Sequence, residues 1–326
     1  MNINRIQYTL ISFLFGLIGR IPRQHHLPLA KLLGKYLHTL DKKHRRIVAD
    51  NLTQAFGHTL SEKEIRILAR AVFVHLARLL FEIGWFTRLK AGNLPDTFTI
   101  EGLEHYRNAL AKNRGVFALT AHLGNWELLP VATMLGLKNA GFVYRPLDTK
   151  PLDMFFSEQR SRFGAAMIPS ARAMRKILRY IKGKGTMFLL MDQNVDWYEG
   201  VFVDFFGSRA CTNKGLALMA LKTEAPVLPV FMIRESQGFK LVFGREIPLI
   251  KTGDKTRDVE ENTRQYNKTL EAFICRYPDQ WFWVHQRWKT RPYCMLTDRP
   301  HGRRKKQINH TGTTNGNDRD TEANQF

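Results

Sequence analysis

The run GVFALTAH, residues 115–122, passes directly into LGNWELLPVATML, residues 123–135. The first piece is a short, continuous apolar run of strand length, which predicts a strand buried on both faces. The second predicts a helix, with Asn125 as its N-cap. A buried strand that turns straight into a helix is the unit of an α/β fold. The junction also carries His122 and Glu127. On one continuous helix, five positions would set them about 140° apart, and they would not meet. Across a strand-to-helix turn one can fold over the other. Active sites in open α/β sheets gather at the carboxyl ends of strands.

Working outward from that junction, FTIEG, GFVYRP, TMFLLMDQ, VFVDFFG and PVLPVFMIRE predict further strands. KLVFGREIPLI and QWFWVH predict two more, bracketing a helix near 257–276. Helical stretches fall between many of them, at 102–112, 124–136, 150–163, 170–182 and 212–223. The alternation predicts an α/β class with a mainly parallel or mixed sheet flanked by helices. Residues 23–90 predict a helical region, with Ser61 and Glu64 forming a capping-box pattern.

The N-terminus, MNINRIQYTLISFLFGLIGRIPRQHH, is apolar from Tyr8 to Ile21 but broken by Gly16, Gly19 and Arg20. A spanning helix needs about 20 apolar residues, and no small-residue cleavage site follows. Residues 1–22 therefore predict a helical membrane anchor, and a spanning helix extended towards Arg5 stays open. The catalytic domain is expected at 91–298. Residues 299–326, polar and almost without large apolar side chains, predict a disordered tail.

The chain has 326 residues and a formal net charge of +21, which suits anionic partners such as membranes, phosphorylated lipids, acidic proteins or nucleic acid. The three cysteines, Cys211, Cys275 and Cys294, are far apart and suggest neither a disulfide framework nor a zinc site. No metal-protease, Walker, nucleophile-elbow or dinucleotide motif occurs. Neither a metal nor another cofactor is expected.

His122 suits a general base, since an imidazole titrates near neutrality. A carboxylate on its other ring nitrogen would fix the tautomer and stabilise the imidazolium. No serine or cysteine stands beside it as nucleophile, so the attacking hydroxyl belongs to the substrate and the acyl donor is an activated one, such as a thioester. Arg145 ends a strand at the same sheet edge and suits a phosphate or an oxyanion. Asp192 and Gln193 close another strand, where Asp192 can position substrate, clamp Arg145 or cap the next turn. In ACTNKG, Thr212 and Asn213 predict a helix cap whose amino end binds an anion, with Lys214 adding charge.

Between Gln159 and Met191 there are eight Lys or Arg and no acid. Arg172, Arg175, Lys176, Arg179 and Lys182 share one helical face, opposite Met174, Ile177, Leu178 and Ile181. This basic ridge fits an acidic carrier protein or an anionic surface, with solvated charge as the plain alternative. WFWVHQRWKTR mixes three tryptophans with basic residues, which suits a membrane interface or stacked bases, or a core strand with a basic exit.

AHLGNWE resembles the H-x-x-x-x-(D/E) motif of the glycerolipid (lysophospholipid) acyltransferase superfamily. The glutamate in an HLGNWE setting is similar to the late acyltransferases of lipid A biosynthesis, the lauroyl and myristoyl transferases. NLTQAFG, VYRPLDTKPLD, LLMDQNVDWYEGVFVDFFGSRACTNKGLALMA and PDQWFWVHQRWKTRP resemble further family segments in the same order. Together they cover roughly residues 5–292. The resemblance implies transfer of a fatty acyl group from acyl carrier protein, or from coenzyme A, to a hydroxyl of a lipid A precursor. It implies His122 as base, Glu127 as its partner, direct attack without a covalent enzyme intermediate, and residence on the cytoplasmic face of the inner membrane. The stretch YEGVFVDFFGSR departs from the E-G-T-R motif of the wider superfamily, which counts against a simple glycerol-phosphate acceptor. Related enzymes acylate other glycolipids, including phosphoinositide mannosides. A basic membrane- or nucleic-acid-binding protein is the non-enzymatic alternative; no nucleic-acid module is recognisable, and nucleic acid is not expected as a partner.

Overall fold

The computed structural model describes residues 3–90, 94, 97–137, 139–236 and 238–292. Cys294 and the expected tail at 299–326 lie outside these. Four helices open the chain: α1 (Ile3–Ile18), α2 (Arg23–Leu40), α3 (Lys42–Phe56) and α4 (Glu62–Phe86). Their limits follow from local chemistry. Asp41 accepts the His44 N–H to start α3, and Ser61 with Glu64 forms the expected capping box of α4. α2 lies close on α4 because Gly34 faces Val74, where a Cβ would come within 2.7 Å of the Val74 Cα.

The remaining elements alternate. They are β1 (Phe98–Glu101), α5 (Leu103–Ala111), β2 (Val116–Thr120), β3 (Ala140–Tyr144), α6 (Lys150–Ser161), β4 (Ala166–Pro169), α7 (Met174–Lys182) and β5 (Thr186–Leu190). Then come β6 (Gly200–Phe205), β7 (Ser208–Asn213), α8 (Gly215–Thr223), β8 (Val227–Arg234), β9 (Phe239–Phe243) and α9 (Lys255–Arg276). The seven-stranded sheet runs β1-β9-β8-β2-β5-β3-β4, and β6 with β7 makes a separate hairpin. Every pairing in the large sheet is parallel except β8 with β9. This is the mixed, mostly parallel α/β architecture expected.

β2 is central and wholly buried, which explains its unbroken apolar run. Phe117 and Leu119 point into a core shared with α3, α4, α7, α8 and α9, whereas Val116 and Ala118 point into a second core. The helical region is thus built into the same core as the sheet.

Several expectations are corrected. The stretch expected as a helix at 124–136 is a 3-10 helix at Trp126–Thr133, interrupted by Pro130, whose ring and missing N–H disfavour α-helix. QWFWVH is not a strand; only Trp281 bridges Leu123. Its aromatics are core, not membrane surface: Trp281 and Trp283 are buried, as is the Arg287 that follows. The helix expected from 212 begins at Gly215, because 208–213 pairs as β7. Among the described residues no helix is long and apolar enough to cross a membrane. α1 packs on α6 and α4 through one face, with Phe15 stacked on Phe155 at 4.7 Å.

Candidate active site

β2, β5 and β3 are parallel neighbours, so Thr120, Leu190 and Tyr144 end at one edge of the sheet. His122, Asp192 and Arg145 follow these ends. After β2 the chain turns sharply at Gly124, which has a positive φ of 68°. A Cβ there would sit 2.1 Å from the Met232 carbonyl oxygen, so only glycine permits this close approach. Backbone bonds tie the turn down: Gly124 N–H donates to Gln280 O, Asn125 N–H to Met232 O, and Phe282 N–H to His122 O.

His122 Nδ1 lies 2.9 Å from Asp192 Oδ1. The backbone N–H of His122 donates to Asp192 Oδ2 at 3.0 Å, and Trp281 Nε1 donates to the same oxygen at 2.8 Å. An ionised carboxylate only accepts, so this contact assigns the proton to Nδ1 and leaves the Nε2 lone pair for chemistry. Burial pushes the Asp192 carboxyl up, but its electrostatic interaction with the His122 ring and the hydrogen bonds from His122 and Trp281 outweigh it. The net effect holds Asp192 below the usual carboxylate range. The rings of Trp126 and Phe282 stand 5.1 and 5.8 Å from the imidazole.

The expectation that Glu127 holds the imidazole is therefore corrected. Glu127 is clamped by Arg160 of α6, Nε to Oε2 at 2.8 Å and Nη2 to Oε1 at 2.7 Å. Trp126 Nε1 adds a third bond to Glu127 Oε1 at 3.1 Å. The strand-to-helix turn brings Asp192, the end of the adjacent strand, onto Nδ1 first. Such a bidentate, charge-assisted pair is among the stronger side-chain contacts. Asp192 itself is buried and does not touch Arg145, so its expected place as a substrate or Arg145 contact becomes a place behind His122.

Asn125 makes no capping bond. It is fully buried and donates to Glu82 Oε2 at 2.9 Å, which sets it behind the site rather than in contact with substrate. Glu82 in turn accepts from Arg234 Nε at 2.5 Å and Nη2 at 2.6 Å and lies 3.2 Å from Arg78 Nε. Arg234 also touches His75. This buried cluster joins α4, β8 and the turn after β2.

Arg145 is exposed just past β3. Asn213 Oδ1 accepts the Gly215 N–H at 2.7 Å and thereby serves the start of α8, with Lys214 beside it. Thr212, in contrast, caps nothing; it is buried against Arg287 Nη2 at 2.5 Å and Asn267. Arg175, Lys176, Arg179 and Lys182 are exposed along α7, with Ile177 and Ile181 buried beneath. Arg172 is exposed too, but in the turn before the helix.

Sequence reasoning missed Arg160 and His285. Asn194 N–H donates to His285 Nε2 at 2.8 Å, which pins the loop after Asp192. Burial pushes the His285 imidazole down to about 4. Arg287 is fully buried, its guanidinium 4.8 Å from the Phe205 ring and donating to Cys211 O. No local pattern marks Arg160. Asn194, shortly after β5, could have been sought from the strand end as the partner of His285.

A strand-end histidine carrying a buried aspartate, at the carboxyl edge of a parallel sheet, is an arrangement that suits base-assisted transfer or hydrolysis. The family model described as bacterial lipid A biosynthesis acyltransferase matches residues 3–290. The chain belongs to that family and is an acyltransferase. It is 26% identical over 283 residues to a lipid A biosynthesis acyltransferase of Haemophilus influenzae, covering 86% of each chain. It is 27% identical over 266 residues to the lipid A biosynthesis lauroyltransferase of Escherichia coli, covering 80% of this chain and 84% of that one. It is also 26% identical over 224 residues to the phosphatidylinositol mannoside acyltransferase of Mycolicibacterium smegmatis, covering 68% of this chain and 72% of that one.

Proposed function

We propose that this enzyme moves a fatty acyl chain from acyl carrier protein to a hydroxyl of a lipid A precursor at the cytoplasmic face of the inner membrane. The observation that carries the mechanism is the His122–Asp192 contact, which leaves His122 Nε2 free to accept a proton. As the acceptor oxygen attacks the thioester carbonyl, Nε2 takes the hydroxyl proton, and Asp192 stabilises the imidazolium. The tetrahedral oxyanion then collapses, the carbon–sulfur bond breaks, and the imidazolium returns the proton to the departing thiolate. No enzyme acyl intermediate forms. Glu127, one residue beyond Trp126, holds the Arg160 guanidinium instead of orienting His122. In this reading the guanidinium, charge-paired with Glu127, serves as a donor to an oxyanion or phosphate. Arg145 and Lys214, with Asn213 shaping the start of α8, serve the anionic groups of the acceptor.

The exposed ridge of α7, with Arg172 before it, is the docking face for the acidic carrier protein. Membrane attachment is supported by α1, whose outward face carries Ile3, Ile6, Leu10, Phe13, Leu14 and Leu17. The similarity to a phosphatidylinositol mannoside acyltransferase favours a related glycolipid acceptor as the second reading, for which we take acyl-coenzyme A as the donor. The test incubates detergent-solubilised enzyme with labelled acyl-acyl carrier protein and a tetra-acylated lipid A precursor, beside His122→Ala. An acyl-sized mass gain only with the native enzyme supports the proposal. Release of free fatty acid alone would point to water as acceptor, and turnover only with acyl-coenzyme A and a mannosylated phosphoinositide would replace it by the second reading.

A further inference from the structure

A cleft of about 500 Å³ opens between α2, α3 and α4, at the end of the helical region remote in sequence from His122. Its volume falls within the ~300–1,000 Å³ usual for ligand sites. Lys42, Arg45, Arg46, Arg66 and Arg70 line it. The floor is different in kind: Ile65, Ala49 and Ala69.

The cations are only partly compensated. Arg66 meets Glu62 at 3.1 Å, and Arg46 lies 3.9 Å from Asp50 in a pair that is mostly solvated. Arg45 donates to the carbonyls of His38 and Thr39 at the end of α2, contacts that leave its charge unbalanced. Lys42 and Arg70 have no acidic partner among the described residues. The wall feels this field: burial, then the charges of Arg45 and Arg70, push the His38 imidazole down. Exposed apolar side chains flank the charges. Leu40 precedes the Asp41–Lys42 turn, and Ile67 shares the outer face of α4 with Arg66 and Arg70.

A solvated charge face would have neither a cavity nor an apolar floor. A ligand matching both features is amphipathic, with an anionic head and a hydrocarbon body. We propose that this cleft is a binding site for the phosphodiester headgroup of an anionic phospholipid, separate from the acyl-transfer site. The charges hold the phosphate, as guanidinium and ammonium groups do. Ile65 and the exposed Leu40 and Ile67 meet the glycerol and the upper acyl chain. The proposal does not depend on the identity of donor or acceptor.

The experiment measures binding of the full chain to vesicles of phosphatidylcholine alone and of phosphatidylcholine doped with phosphatidylglycerol. It compares Lys42→Glu/Arg70→Glu with Arg175→Glu/Arg179→Glu, which has the same net charge change on α7. Near an anionic surface each basic residue is worth roughly fivefold in binding. The cleft variant should lose at least about tenfold on doped vesicles, and the α7 variant much less. Equal losses would mean smeared electrostatics and overturn the site. Ala49→Trp keeps every charge and fills the cleft. It should abolish retention of phosphatidylglycerol in native mass spectrometry, and unchanged retention would overturn the proposal. So would loss, in the cleft variant, of inorganic phosphate or carrier-protein binding with phosphatidylglycerol binding intact. Circular dichroism and the thermal midpoint of each variant separate misfolding from loss of the site.

Discussion

His122 and Asp192 are joined twice, through the ring and through the His122 backbone N–H, and Trp281 anchors the same carboxylate. Asp192→Asn keeps the shape but removes the charge that balances an imidazolium. Its kcat should fall by about 10³–10⁴-fold, with KM for the donor nearly unchanged, as steady-state assays would read. Glu127→Gln leaves the His122–Asp192 contact whole and weakens the Arg160 clamp. A hydrogen bond to a charged group is worth roughly 1.5–3 kcal/mol, so a loss of about 10–100-fold is expected. If Glu127→Gln matched His122→Ala while Asp192→Asn stayed active, Glu127 would be the partner in the working complex. His285 gives a separate handle on stability. Its folded pKa of about 4 lies below the ordinary value of about 6.5. Between those values the unfolded chain binds the proton and the native one does not, so stability drops as pH falls from about 6.5 to about 4, then levels off. Denaturant titrations should show a loss approaching about 3 kcal/mol across that window, reduced where the ring stays partly solvated. His285→Gln should flatten this part of the profile.

At the scale of elements, the parts legible in the sequence were those whose signal is local. β2 reads as buried because Val116–Leu119 is apolar throughout, and the capping box of α4 needs only Ser61 and Glu64. β4 and β7 were not legible. Ala166–Pro169 is four residues long, and Ser208–Asn213 is mostly small or polar, paired only with β6. The aromatic stretch from Trp281 read as a strand because large rings favour strands. It is a buried loop, held by Trp281 to Asp192 and by Asn51 to the carbonyls of Trp283 and His285. The site was legible by class but not by partner. His122 and Asp192 both end strands and so could be foreseen at one edge. The pairing of Glu127 with a residue 33 positions away on α6 depends on helix placement, which no local pattern encodes. The α7 ridge was legible because its period is helical. Arg175→Ala/Arg179→Ala should raise KM for acyl carrier protein severalfold at low ionic strength and leave kcat alone. Salt should erase the difference, since exposed charges steer association and are screened. A drop in kcat at saturating donor would refute that role.

For the whole molecule, the question is how an enzyme with no helix among its described residues long and apolar enough to span a bilayer reaches a lipid acceptor. The two-sided packing of α1 is consistent with the proposed attachment. Its inner face is committed to the protein, with Phe15 on Phe155 and Tyr8 on Glu158. Its outer face repeats large apolar residues at helical spacing, and Phe13 remains 60% exposed. On α2, Leu29, Leu32, Tyr36 and Leu40 continue an exposed stripe, with Lys31 and Lys35 exposed nearby. Such a surface suits a helix lying in the headgroup region, basic residues outward and apolar side chains inward. Fully burying one such side chain contributes roughly 1.5–3 kcal/mol, so Leu10→Ser/Phe13→Ser/Leu14→Ser should weaken vesicle partitioning by at least about 10³-fold. None of the three makes up the core, so the thermal midpoint in detergent should move little. Activity on acceptor dispersed in detergent should survive, while activity on acceptor embedded in vesicles should fall with the partitioning. If the triple variant bound vesicles as well as the native chain, α1 would be a packing helix and attachment would have to reside elsewhere.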